Sequence, residues 1–209
     1  IGYLSLSTNT SASNNTSVGA CSLKANTTGT ENVAMGTEAL DSNTTGNYNT
    51  GVGFQSLQAV TTGGYNTGVG YKTLFTNTGS LNTAVGWSAL LSNTSASNNV
   101  AVGTNSSEKT TTGDQNVSVG VDSLNKNTTG TENTALGRFA LCANTTASNN
   151  TAVGKAALQS NTTGNSNVAV GTSALQSVTG SENTGVGHNT MNSAVTGQGN
   201  AAFGYSSMT

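Results

Sequence analysis

Residues 43–53 read NTTGNYNTGVG, and close variants of this string recur along the whole 209-residue chain. The glycine that ends each Asn-x-x-x-Gly falls at Gly2, Gly19, Gly36, Gly53, Gly70, Gly86, Gly103, Gly120, Gly137, Gly154, Gly171, Gly187 and Gly204. The spacing is 17 residues, with two intervals of 16. Counting from this glycine as phase 0, the consensus is Gly-x-x-Ala/Ser-Leu-x-Ser-Asn-Thr-Thr-Gly-x-x-Asn-Thr-Ala-Val. A fixed period of this length marks stacked repeats rather than an ordinary globular chain.

Composition points the same way. Asn, Thr and Ser number 29, 37 and 26, there is no Pro, and only 7% of residues are charged. Disordered chains are usually rich in charge and Pro; here both are scarce and Val recurs on schedule. The net charge of −2 gives no basic patch for nucleic acid. No apolar run reaches membrane-spanning length. Neither nucleic acid nor membrane is therefore expected as a partner.

Phase 14 is Thr or Val in every copy but Ala201, and phase 16 is apolar throughout, as in Val52, Val69, Val102, Val153 and Val170. β-branched residues at period 2 predict a strand over phases 14–16. Leu40, Leu57 and Leu158 stand for a second apolar position at phase 4, broken only by Ser107. In both short intervals the Thr-Thr-Gly corner loses one Thr, leaving Asn77-Thr78-Gly79 and Val178-Thr179-Gly180. Surface corners tolerate deletions and packed strands do not, so this corner is an outer turn. The pattern predicts an all-β parallel β-solenoid (β-roll) of about twelve coils. Residues 1–209 form one repetitive segment about 60 Å long at about 4.8 Å per coil. Ile1 enters at phase 16, Thr209 stops at phase 5 and neither end carries a cap, which suggests part of a longer fibre chain.

Phase 13 is Asn in all twelve copies, including Asn32, Asn49, Asn66, Asn99, Asn116, Asn133, Asn150 and Asn167. An amide at fixed phase can hydrogen-bond the coils above and below; the plainer reading is a residue that suits a turn. The strand's other face, phases 15 and 0, holds only tiny residues: Ala34, Gly36, Gly51, Gly53, Gly68, Gly70, Ala101, Gly103, Ala152 and Gly154. With Val and Leu assigned to a thin core, this small face is expected to meet another chain, as in a homotrimer. The competing reading is close packing inside one flat coil.

The strings Val33-Ala34-Met35-Gly36, Val100-Ala101-Val102-Gly103 and Val168-Ala169-Val170-Gly171 resemble the Ser-Val-Ala-Ile-Gly repeat of trimeric (YadA-like) autotransporter adhesin heads. The resemblance implies a trimer of parallel β-rolls, although those heads repeat at about 14 residues rather than 17. The longer unit, as in Asn150–Gly154 with Ala157-Leu158 and Asn161–Gly164, also resembles repeats of phage and virus tail-fibre proteins.

Catalytic chemistry has no support. The single His188 sits at variable phase 1, and the acids are scattered with no paired arrangement. No cofactor or metal pattern is present, and a non-enzymatic protein is expected. Cys21 and Cys142 lie seven coils apart, about 34 Å, far beyond disulfide reach. Asn43-Thr44-Thr45, Asn127-Thr128-Thr129 and Asn161-Thr162-Thr163 match a glycosylation triplet, on a corner expected to be accessible. Aromatics at phases 1 and 12 would fill gaps between chains or stack on sugars. Three functions fit. The first is a structural shaft of an extracellular or virion-surface fibre used in host attachment, with host glycan or protein bound through parts outside this chain. The second is an adhesin head that itself binds host matrix or glycan. The third is an ice-binding solenoid, which the irregular Thr-Thr corner disfavours.

Overall fold

Each copy of the Thr/Val-small-Val triplet forms one three-residue strand. A computed structural model describes residues 1–193 and 195–208, so Thr209 lies outside the described residues. The strands are β1 Thr16–Val18, β2 Val33–Met35, β3 Thr50–Val52, β4 Thr67–Val69, β5 Thr83–Val85, β6 Val100–Val102, β7 Val117–Val119, β8 Thr134–Leu136, β9 Thr151–Val153, β10 Val168–Val170, β11 Thr184–Val186 and β12 Ala201–Phe203. They form one parallel sheet in sequence order. Register is phase on phase: Val52 faces Val69, and across the shortened repeat Thr67 still faces Thr83. The protein is therefore a parallel β-solenoid of about twelve coils. The missing Thr is absorbed at the corner, where Thr78 and Thr179 are exposed.

Backbone bonding between coils continues outside the strands. Leu23 N–H donates forward to Ala39 O at 3.0 Å, Cys21 N–H donates back to Tyr3 O at 2.8 Å, and Thr27 N–H donates forward to Thr44 O at 3.0 Å. Donors thus alternate between the coil above and the coil below, which satisfies backbone that so polar a sequence could not bury otherwise. The alternation comes with left-handed residues: phases 2, 4 and 12 have positive φ, and Leu40, Leu57 and Leu158 sit at φ 52, 56 and 49. That conformation costs about 1–2 kcal/mol per non-glycine residue. It persists because it turns each Leu side chain fully into the coil, where all three are completely buried.

The interior is lined by the small residues and not by the strand valines. Ala34, Ala101 and Ala152 are completely buried and Gly51 and Gly68 are buried, whereas Val69 and Val170 are 37% exposed and Val52, Val102 and Val153 are half-buried on the outer face. This reverses the orientation expected from side-chain size. The reason is the thickness of the coil. One Leu per coil fills the section, so the strand opposite must be nearly flat. Phase 15 packs against phases 3 and 4 of its own coil stack. A Cβ on Gly68 would lie 2.6 Å from Ser56 Oγ and 2.8 Å from Thr73 Oγ1. Volumes compensate across the five-residue gap: Gly68 precedes Thr73, Gly185 precedes Thr190, Ala34 precedes Ala39 and Ala152 precedes Ala157. The phase 0 glycines also have an intrachain cause. Gly103 has φ 130, and a Cβ there would stand 2.6 Å from Gly120 O; Gly36, Gly53, Gly70 and Gly154 have the same conformation. The tiny residues therefore give no reason for a second chain at that face.

One coil departs from the pattern. Ser107 replaces the phase 4 Leu, and its hydroxyl lies 2.8 Å from Ser118 Oγ, which in turn meets Ser106 Oγ at 2.7 Å. This buried serine rung divides the apolar interior into two clusters, one ending at Ala101 and the other starting at Leu124.

Candidate functional surface

The phase 13 amides are structural. Asn32, Asn49, Asn66, Asn99, Asn116, Asn133, Asn150 and Asn167 are all buried. Each Oδ1 accepts the backbone N–H of the next Asn, as in Asn49 N–H to Asn32 Oδ1 at 2.9 Å and Asn133 N–H to Asn116 Oδ1 at 3.0 Å. Most Nδ2 groups donate to the phase 10 carbonyl one coil on, as in Asn49 to Gly63 O at 2.8 Å. The residue before each has φ near 60, which turns this N–H out of the strand ladder and makes a side-chain acceptor necessary.

A second amide column stands at phase 7. Asn43 Nδ2 donates to Asn26 Oδ1 at 2.8 Å and to Gly46 O at 3.0 Å. Val60 takes the next rung, and Asn43 Oδ1 is left without a partner. The recurrence of Asn at phase 7 was visible in the sequence but is easily taken for turn composition. This column also removes the glycosylation expectation for the three corner triplets. Asn43, Asn127 and Asn161 are completely buried, with side chains bonded inside the corner.

Outward, the sheet presents two columns, Thr or Val at phase 14 with Ala201 in the last strand, and Val, Leu136, Met35 or Phe203 at phase 16. Neither carries a charge on any of the twelve strands. Among the described residues, seventeen of the nineteen exposed large apolar side chains lie between phase 12 and phase 1, on or beside this face. Rings on the flanks stack along the rod. Phe54, Tyr71 and Trp87 follow one another at centroid distances of 5.5 and 4.0 Å, and Tyr48 stacks on Tyr65 at 4.7 Å. Both faces of Tyr71 are thus covered by neighbouring rings, so it offers a sugar only an edge.

Reactive groups are dispersed. Among the described residues there is no cluster of three or more His, Cys, Asp or Glu, and no pocket was found. Exposed His188 stacks on Tyr205 at 5.2 Å. Cys21 and Cys142 are free and half-buried. Burial pushes the Cys142 thiol up, Asp122 adds to this and Lys126 opposes it. Burial would also raise Glu108, but bonds from Lys109 and Asn125 outweigh it and hold the carboxyl below its usual range. Lys24 Nζ lies 3.2 Å from Asp41, whose hydrogen bond and charge raise the ammonium. Such surface pairs contribute little to stability. Among the described residues no helix is long and apolar enough to cross a membrane.

The elements of the surface are therefore a long, regular, uncharged strand face and two short aromatic ladders. No protein-family model, curated protein or solved structure matches the chain.

Proposed function

We propose that this chain is a structural shaft segment of an extracellular fibre, of the kind viruses and phages use for host attachment, built from a homotrimer of identical chains. The observation that carries this reading is the continuous register of twelve strands, one per coil, unbroken by either shortened repeat. A rod of this construction resists bending. Bending opens backbone and Asn–Asn hydrogen bonds on the convex side, and each coil holds both neighbours through them. Its work is mechanical: it sets reach and presents a host-binding part that lies outside this segment. Chain number follows from the resemblance to trimeric heads and tail fibres, since the small residues are occupied within their own coil. The location is the virion surface or the outside of a cell.

The test has two arms. Small-angle scattering should give a rod roughly 55–60 Å long per unit; a globular profile would refute the shaft. Binding to host cells and glycan arrays should be absent for this segment. Binding by the segment alone would replace the shaft with an adhesin head.

A further inference from the structure

We propose that the outward Thr/Val-x-Val face of the twelve strands is the surface on which a second copy of this chain docks. This rests on the proposed multichain fibre and assigns its interface. Three observations carry it. The first is composition: phases 14 and 16 hold no charge over twelve strands, and Val69, Val119 and Val170 remain 37%, 39% and 37% exposed. Charged residues beside this face, such as Glu31, Arg138, Glu38 and Asp114, begin only at phases 12 and 1 and continue at phases 11 and 2, as a rim would have them.

The second is size. Twelve rows at about 4.8 Å and a width of about 10 Å give roughly 600 Å² per chain. A stable interface needs about 1,000 Å² in total from both partners, which two such faces supply, and one face alone already matches the upper end of the about 300–600 Å² that the largest patch on an ordinary monomer reaches.

The third is periodicity, and it selects the occupant. Rows of side chains repeat at the strand spacing along the whole face. A partner with any other spacing falls out of step within a few rows. A second copy has the same rise by construction, so its rows can settle between these along the full length, as two sheets do at about 10 Å separation. Nucleic acid is disfavoured because the columns carry no Lys or Arg. The inward small residues cannot serve as this interface, because Leu and Ser/Thr of the same chain already fill the space against them.

Light scattering on the full chain tests this. At micromolar concentration the wild type should have a molar mass that is a multiple of the 20.7 kDa chain. Replacing Val69→Lys, Val119→Lys and Val170→Lys together should give single-chain mass, with self-association weakened about 100-fold or more by three unpaired charges. The corner triple Thr45→Lys, Thr112→Lys and Thr163→Lys should keep the multichain mass, and circular dichroism should match for all three proteins. A single-chain wild type, or a face triple that keeps its mass, overturns the proposal. A single-chain wild type with thermal hysteresis would assign the face to ice instead. The shaft is tested separately: if the single-chain protein still scatters as a rod, only the docking surface fails.

Discussion

Replacing Asn116 by Ala should break one rung of the amide column and leave the strands in place. Asn116 is 1% exposed. Its Oδ1 receives Asn133 N–H at 3.0 Å and Asn133 Nδ2 at 3.1 Å, and its Nδ2 reaches Gly130 O at 2.9 Å. Asn133 Nδ2 keeps Ala147 O, and Gly130 O keeps Asn127 Nδ2. The groups left without a partner are the buried Asn133 N–H and the buried Gly113 O, which Asn116 Nδ2 meets at 3.1 Å. An orphaned buried donor costs about 1–3 kcal/mol, and the lost amide bonds add about 1. The expected destabilisation is about 3 kcal/mol by urea unfolding. The local signature is sharper. Asn133 N–H should exchange with solvent much faster, while Val117 N–H, which donates to Asn133 O at 2.8 Å, keeps its protection. Exposed Thr129→Ala one repeat on should change stability by no more than about 0.5 kcal/mol. An Asn116→Ala protein within about 0.5 kcal/mol of wild type, with unchanged protection at Asn133, would refute a specific role for the rung.

Ser107→Leu with Ser118→Ala restores the consensus and joins the two apolar clusters, so urea midpoints should rise by an amount equivalent to about 1–3 kcal/mol; a fall would show that the serine rung is better packed than a Leu rung. Gly103→Ala forces a Cβ to within 2.6 Å of Gly120 O at φ 130 and should cost more than about 2 kcal/mol or prevent folding, as read by thermal melts; a neutral result would show that the coils can separate locally. Cys142 should alkylate more slowly at pH 8 than a free thiol of ordinary pKa, because its raised pKa leaves less thiolate, and the rate should climb as pH rises through it; a rate equal to that of a free thiol would contradict the burial.

The coil was legible because each signal is local and repeated. The Thr50–Val52 triplet and its eleven counterparts announced the strand, and the loss of a Thr beside Thr78 announced the corner. Which way the strand faces was not legible from alternation, because period 2 defines two faces without naming the inner one. Size favoured Val52 and Val69 as core. What decided otherwise is Leu40 and its equivalents at φ near +50, a conformation that no propensity assigns to Leu and that only the closed coil holds in place. A clue did exist in sequence: the matched volumes of Gly68 with Thr73 and Ala34 with Ala39 signal contact across a thin interior. The exposed face is the remainder of that choice, since with the small residues turned inward the valines have nowhere else to go.

Every coil is one rung of a rod whose strands run across its axis. Diffraction from an aligned film of the protein measures this directly. Strands stacked in this way give a reflection at about 4.8 Å along the long axis of the particles. The same reflection perpendicular to that axis, or none at all, would contradict it.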